Sequence, residues 1–359
     1  VIPLCAVLVA FGVYTYGAGE RGEEVMVHNV HVVKLYPDDF AELRGATAVF
    51  VPEGGTYTLQ LPDAVFAWPG RSDVTTTTEG DWDDSRVHIT PEGTEVTFEE
   101  VEFWSLRKAY VEGHVNGGQI AANLTMEGER VVGTVTNETK WDLRDAHVMA
   151  GGQMSAIGVL KRGEAKQIDV KLDPVPVRPP GFLSGQLLPA AGGTTDEFRR
   201  EAMLLQYLDH EGYHFQPFPS QVQFVGWTEQ PVYESTVAGR PSDQYSLSLV
   251  IAPLEIRPDK GGKVVWPKGS IMPAVVATSG AVDITPDGFN IPRGTGSVTF
   301  RFDLYVEENV TLDKLNVELQ GAVSKVEWFN WKTGEWEEAS GNSDQSLDEY
   351  VSGTGEVLV

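Results

Sequence analysis

Val25-Met26-Val27-His28-Asn29-Val30-His31-Val32-Val33 sets five valines in nine residues, with no glycine or proline to interrupt them. β-Branched side chains lose freedom in a helix and pack well on a pleated surface, so this run reads as a strand. The same grammar continues downstream. Thr47–Val51 and Thr56–Leu61 follow, with Gly54-Gly55 at the turn between them, then Val87–Ile89 and Thr94–Leu106. Residues 24–115 therefore read as one antiparallel sandwich with an acidic, Thr-rich loop near Thr75–Asp84.

Residues 117–173 repeat the pattern at shorter spacing. Strands are expected near Ile120–Met126, Val131–Thr136, Ala146–Ala150, Met154–Leu160 and Gln167–Leu172, reversed at Glu127-Gly128-Glu129 and Lys161-Arg162-Gly163-Glu164. Such strand density predicts a small immunoglobulin-like sandwich. Residues 174–218 open with Pro174, Pro176, Pro179 and Pro180, a stiff linker. Thr194 and Glu197 then form a capping box, and Phe198, Ala202, Leu205 and Leu208 an apolar stripe, which predicts a helix over 195–209.

Strands return over 219–359, at Tyr245–Pro253, Ser297–Val306 and Lys314–Leu319. Val326-Glu327-Trp328-Phe329-Asn330-Trp331, Lys332-Thr333-Gly334 and Glu335-Trp336-Glu337 spell a hairpin, and this region reads as a jelly-roll or related sandwich. The fold expected is mainly β, with two or three tandem antiparallel β-sandwich domains, Ig-like or jelly-roll-like, after an N-terminal transmembrane helix.

That helix is expected upstream of Val25. Val1–Gly19 carries no charge, and as a helix it spans roughly 28 Å, about the hydrocarbon thickness of a bilayer. Tyr14 and Tyr16 sit near one end, where interfacial aromatics belong, and Glu20-Arg21-Gly22-Glu23-Glu24 ends the stretch. The competing reading is a cleaved secretory signal with Gly17-Ala18-Gly19 before the cut. Cys5, the single cysteine, lies in this stretch and excludes an intramolecular disulfide, a zinc ribbon or a CxxC redox pair. Leu4 before it is bulkier than a lipoprotein signal requires.

The acidic balance, 52 Asp and Glu against 27 Lys and Arg, repels phosphate backbones and argues against a nucleic-acid partner. Its plain reading is solubility at an exposed surface, and the alternative is weak divalent-cation binding by acidic loops such as Glu79–Asp84. The acidic stretch Glu79–Asp84 lacks the ligand spacing of an EF-hand. There is no Gly-x-Ser-x-Gly elbow, P-loop or dinucleotide fingerprint, and no cofactor is expected.

Several stretches carry a resemblance: the apolar segment ending Tyr14-Thr15-Tyr16-Gly17, Phe103-Trp104-Ser105-Leu106-Arg107, Gly133-Thr134-Val135-Thr136-Asn137-Glu138-Thr139, and Asn330-Trp331-Lys332-Thr333-Gly334-Glu335-Trp336. In these the chain resembles the C-terminal extracytoplasmic region of an uncharacterised family of bacterial multi-pass membrane proteins, mostly Gram-positive. The resemblance implies a region facing away from the cytoplasm, preceded by further membrane segments. It implies no activity.

His210-Glu211-Gly212-Tyr213-His214 matches the HExxH pattern, in which two histidines a helical turn apart hold zinc and the glutamate polarises a bound water. On a continuous helix Met203, Tyr207, His210 and His214 share a face. Against this, Gly212 weakens the helix by about 1 kcal/mol, and Pro217 and Pro219 stop it. A third ligand would have to come from Glu229 or Glu234, in a stretch that reads as strand or loop. The plainer reading is a frayed helix end without metal.

The second candidate is aromatic. Strand alternation puts Trp328 on one face of the hairpin, and Phe329 with Trp331 on the other. Trp331 and Trp336 are then the residues for stacking on sugar rings, provided that they are exposed and coplanar. His28, His31, His88, His114 and His147 read as structural. Asn123, Asn137 and Asn309 open N-x-T sequons. The function expected is a non-catalytic, membrane-anchored extracytoplasmic scaffold, partnered by the membrane through residues 1–19 and by envelope or membrane proteins. The alternatives are a carbohydrate or cell-wall polysaccharide module and a zinc peptidase.

Overall fold

The computed structural model describes residues 24–36, 39–70, 85–150, 153–172, 201–202, 222–258, 271, 274–285, 288–290, 296–304, 314–315, 317, 324–338 and 347–359. The protein is mainly β. Its first stretch holds β1 (Val25–Leu35), β2 (Phe40–Val51), β3 (Gly55–Pro62), β4 (Val65–Pro69), β5 (Ser85–Thr90), β6 (Gly93–Val101) and β7 (Ser105–Asn116). The next holds β8 (Ile120–Glu127), β9 (Arg130–Asn137), β10 (Leu143–Ala150), β11 (Gln153–Leu160) and β12 (Ala165–Lys171). Then come β13 (Val222–Thr228), β14 (Thr236–Val237), β15 (Ser242–Leu254) and β16 (Ile256–Pro258). The last stretch has β17 (Ala274–Gly280), β18 (Asp283–Thr285), β19 (Gly288–Asn290), β20 (Gly296–Asp303), β21 (Glu327–Asn330), β22 (Glu335–Glu338) and β23 (Glu356–Leu358).

Among the described residues before 259 the largest sheet has eight strands, in the order β11-β10-β13-β15-β1-β2-β7-β4. It draws strands from each of the three stretches between Val25 and Leu254, and so crosses the unit boundaries expected from sequence. At its centre β1 runs parallel to β15, Val25 facing Ser242 and Lys34 facing Ile251. Central strands covered on both faces need unbroken apolar runs. All seven residues of β13 are buried, as are six consecutive residues of β15, Leu247–Ala252.

The inner face of this sheet supplies Val27, Val33, Leu43, Val49 and Val250 to the main core. Two four-stranded sheets, β14-β3-β6-β5 and β12-β9-β8-β16, complete that core through residues such as Tyr57, Phe98, Leu124 and Val131. The opposite face carries a second cluster of Val32, Val225, Trp227, Leu247, Leu249 and Ile251. Arg144 aligns with Trp227 across β10 and β13, and its guanidinium reaches Glu201 at 2.7 Å and Glu229 at 3.3 Å. Glu201 and Ala202 are helical, and the ion pair ties Glu201 to β10.

Past residue 270, β17-β20-β23 form a smaller sheet around Phe302, Leu304, Val357 and Val359. The β21–β22 hairpin packs Trp328 and its neighbour Val326 onto that cluster.

The expected transmembrane segment, residues 1–19, lies outside the described residues, as does most of the expected helix 195–209. Among the described residues no helix is long and apolar enough to cross a membrane. The strand expected over Thr94–Leu106 is broken: β6 ends at Val101, the chain turns at Phe103-Trp104, and β7 starts at Ser105 in a different sheet. No glycine, proline or asparagine marks that turn, so periodicity ran through it.

Candidate functional site

The hairpin is the described part of the chain where the sequence-derived site residues converge. Its register pairs Phe329 with Trp336 and Trp328 with Glu337, so the two faces differ in character. Inward, Trp328 meets Tyr350 edge-on at 5.9 Å. The Tyr350 hydroxyl donates to Glu337 Oε2 at 2.7 Å, and the carboxylate so placed pushes the phenol up to about 12. Outward, Phe329 stands between Trp331 and Trp336, its ring centroid 5.1 Å from one and 5.3 Å from the other.

Asn330 holds the turn that carries Trp331. Its side-chain oxygen accepts from the backbone N–H of Lys332 at 2.9 Å and Thr333 at 3.1 Å, while its amide nitrogen donates to Glu337 at 2.9 Å. Gly334 closes the turn at φ 75°, where a β-carbon is disfavoured. The backbone N–H of Trp331 donates to the Glu349 carbonyl at 2.8 Å, which fixes the start of the turn against the 3-10 helix Leu347–Glu349.

Trp331 is 37% exposed and Trp336 43%. Phe329 is inclined to them at 84° and 63°, so the three rings make a ribbed surface and not one flat platform. Glu338 shares this face with Trp336 by strand alternation and is exposed. A face of this kind presents π-clouds to apolar C–H groups and a carboxylate to hydroxyl donors, and it disfavours an anionic ligand.

His210, Glu211 and His214 lie outside the described residues. Of the two third-ligand candidates, Glu229 is engaged by Arg144 and Glu234 is exposed. Among the described residues no group of three or more His, Cys, Asp or Glu side chains is placed to hold a metal ion.

Periodicity alone did not reveal a second polar constellation, sealed inside the main core. Asn29 and His31 occupy inward positions of β1, where the neighbouring inward residues are Val27 and Val33. Thr47 Oγ1 donates to Asn29 Oδ1 at 2.8 Å and lies 2.7 Å from the Tyr233 hydroxyl, which is 2.9 Å from His31 Nε2. Thr47 has one proton and gives it to Asn29, so Tyr233 donates to Thr47 and accepts from His31. The donor inventory thus assigns His31 as the neutral Nε2–H tautomer. Complete burial lowers its pKa to about 3. The signal was present in sequence: two polar residues at core positions of a valine-rich strand require partners.

No curated protein matches the chain at a significant level. The segment running from β8 to the start of β16, two strands that pair in parallel, coincides with one match to a protein family. Residues 119–257 are similar to a family described as a domain of unknown function (DUF8725), and residues 265–359 to a second so described (DUF8815).

Proposed function

We propose that this chain is a membrane-anchored, extracytoplasmic scaffold or interaction protein, held by Val1–Gly19 and built as β-sandwiches that share the eight-stranded sheet. One observation carries the reading. An uncharged stretch of membrane-spanning length ends five residues before β1, a strand at the centre of a sheet whose core joins three sheets. A body so tied transmits position from the membrane to whatever binds its outer surfaces. In this reading the acidic surface keeps the body solvated and envelope or membrane proteins are its partners.

The test is flotation of the full chain with vesicles after alkaline washing, followed by protease treatment of intact cells. The expected outcome is a vesicle-bound chain whose β region is cut from outside. A chain released by alkali would overturn the anchor, and protection from external protease would overturn the orientation.

A second reading is favoured by Trp331 and Trp336, which remain partly exposed around Phe329. In it the hairpin takes the apolar face of a sugar ring from cell-wall polysaccharide, with Glu338 accepting hydrogen bonds from its hydroxyls. Sedimentation with purified cell walls tests this reading. Binding that survives Trp336→Ala would remove the hairpin from consideration.

A further inference from the structure

The turn between β6 and β7 exposes apolar surface at its tip. Phe103 is 69% exposed and Trp104 53%, and Leu106, the second residue of β7, is 55% exposed. Ser105 Oγ donates to the Glu102 carbonyl at 2.8 Å and closes the turn. Trp104 sits at φ 59°, a left-handed conformation that strains a bulky residue. Burial would not select this arrangement: the strained backbone turns large rings out of the core.

The location of the turn limits what these rings can meet. Val51 pairs with Ser105, and Phe50 pairs with Leu106 on one side and Met26 on the other. Trp104 lies edge-on to Phe50 at 5.7 Å. The turn and the start of β1 therefore occupy the same end of the eight-stranded sheet, two strand spacings apart, or about 10 Å. Only Glu20–Glu24 separate Gly19 from Val25, and the six Cα steps between those two residues reach at most ~22 Å. With Val1–Gly19 in a bilayer, this end of the sheet is held within that reach of the membrane surface.

We propose that Phe103 and Trp104 rest in the interfacial layer of the bilayer that holds Val1–Gly19, an inference that rests on the anchored reading above. An indole suits that layer, because its ring takes the acyl boundary while its N–H stays among headgroups. Both signs of charge occur near this end, Glu24, Glu53 and Glu102 against Arg107 and an Arg240 that lies 3.7 Å from Glu53, so the contact rests on the apolar rings and a zwitterionic surface suffices for it. With the turn seated, the body has two points of attachment and its large sheet stands in a fixed orientation instead of swinging on its tether.

The experiment uses the full chain reconstituted in phosphatidylcholine vesicles whose acyl chains carry bromine, a short-range quencher of tryptophan fluorescence. Quenching is expected in the parent and in Trp336→Phe, and it is lost in Trp104→Phe. Equal quenching in the parent and Trp104→Phe, from a chain that still floats with the vesicles, would overturn the contact and leave the anchor standing. A chain that does not float overturns the anchor, and the contact with it. A Trp104-dependent dimer in detergent, with no bromine effect, would give the turn to a second copy.

Discussion

Tyr233 and His31, 202 residues apart in the chain, meet in the main core with the phenol oxygen 2.9 Å from Nε2. Tyr233 links β1 and β2 to the segment before β14, since its hydroxyl is also 2.7 Å from Thr47. Tyr233→Phe keeps the ring and strips His31 and Thr47 of their shared partner. Leaving such buried groups bare costs about 1–3 kcal/mol, so the unfolding free energy is expected to fall by that much, read as a lower urea midpoint at unchanged slope. An unchanged midpoint would mean that the hydroxyl does not bind both groups.

The same histidine gives stability a pH dependence. Burial holds its folded pKa near about 3, below its ordinary 6.5, so the folded state binds fewer protons than the unfolded state between those values. The contribution is complete above the unfolded pKa and declines as pH falls from about 6.5 toward 3. The residues bonded around it, Asn29, Thr47 and Tyr233, do not change charge in that window. Unfolding midpoints at pH 7.5 and 5.5 are expected to differ less in His31→Gln than in the parent. Equal pH slopes would contradict the assignment.

Gly45 lies on β2 opposite His31. A β-carbon there would press on the Val30 carbonyl and stand 2.7 Å from His31 Cδ2, against backbone that cannot yield. Gly45→Ala is expected to destabilise the protein by about 1–3 kcal/mol in thermal unfolding. At Gly128, where nothing lies within reach of a β-carbon but φ is 61°, the cost of Gly128→Ala is strain alone and comes to about 1 kcal/mol.

Asn137 is fully buried although it opens an N-x-T sequon. Its amide donates to the carbonyls of Trp141 at 2.8 Å and Leu160 at 3.0 Å, and its oxygen accepts from the Thr139 N–H at 2.9 Å and Oγ1 at 2.7 Å. Asn137→Asp would turn a carboxylate oxygen toward those two carbonyls. Its loss of stability at pH 7 is expected to exceed that of Asn137→Ala, itself about 2–4 kcal/mol. Equal losses in the two variants would show that the carboxylate finds another donor.

Local elements were legible wherever the chain writes its own punctuation. Asn330 to Gly334 specifies the hairpin turn, and alternation alone separated Trp328 from Phe329. Partnership between strands was not legible, because period two states which face is buried and not which strand lies alongside. The β10 and β11 residues carry patterns much like those of β8 and β9, yet they join the large sheet. Likewise the inclination of Phe329 to its two indoles depends on packing, which spacing does not encode. The Phe103-Trp104 turn escaped notice because a left-handed tryptophan is a conformation that residue preferences argue against.

Synthesis from the N-terminus exposes one consequence of the parallel step at the centre of the large sheet. β1 finds β2 almost at once, but its other edge waits until the ribosome has delivered Ser242–Leu254. Through that interval a valine-rich edge without proline stands open, the kind of template that recruits strands from other molecules. Slowing elongation, or withholding a holdase while β13 and β15 are still being made, should therefore send more of the newborn chain into aggregates than the finished protein's own stability would suggest.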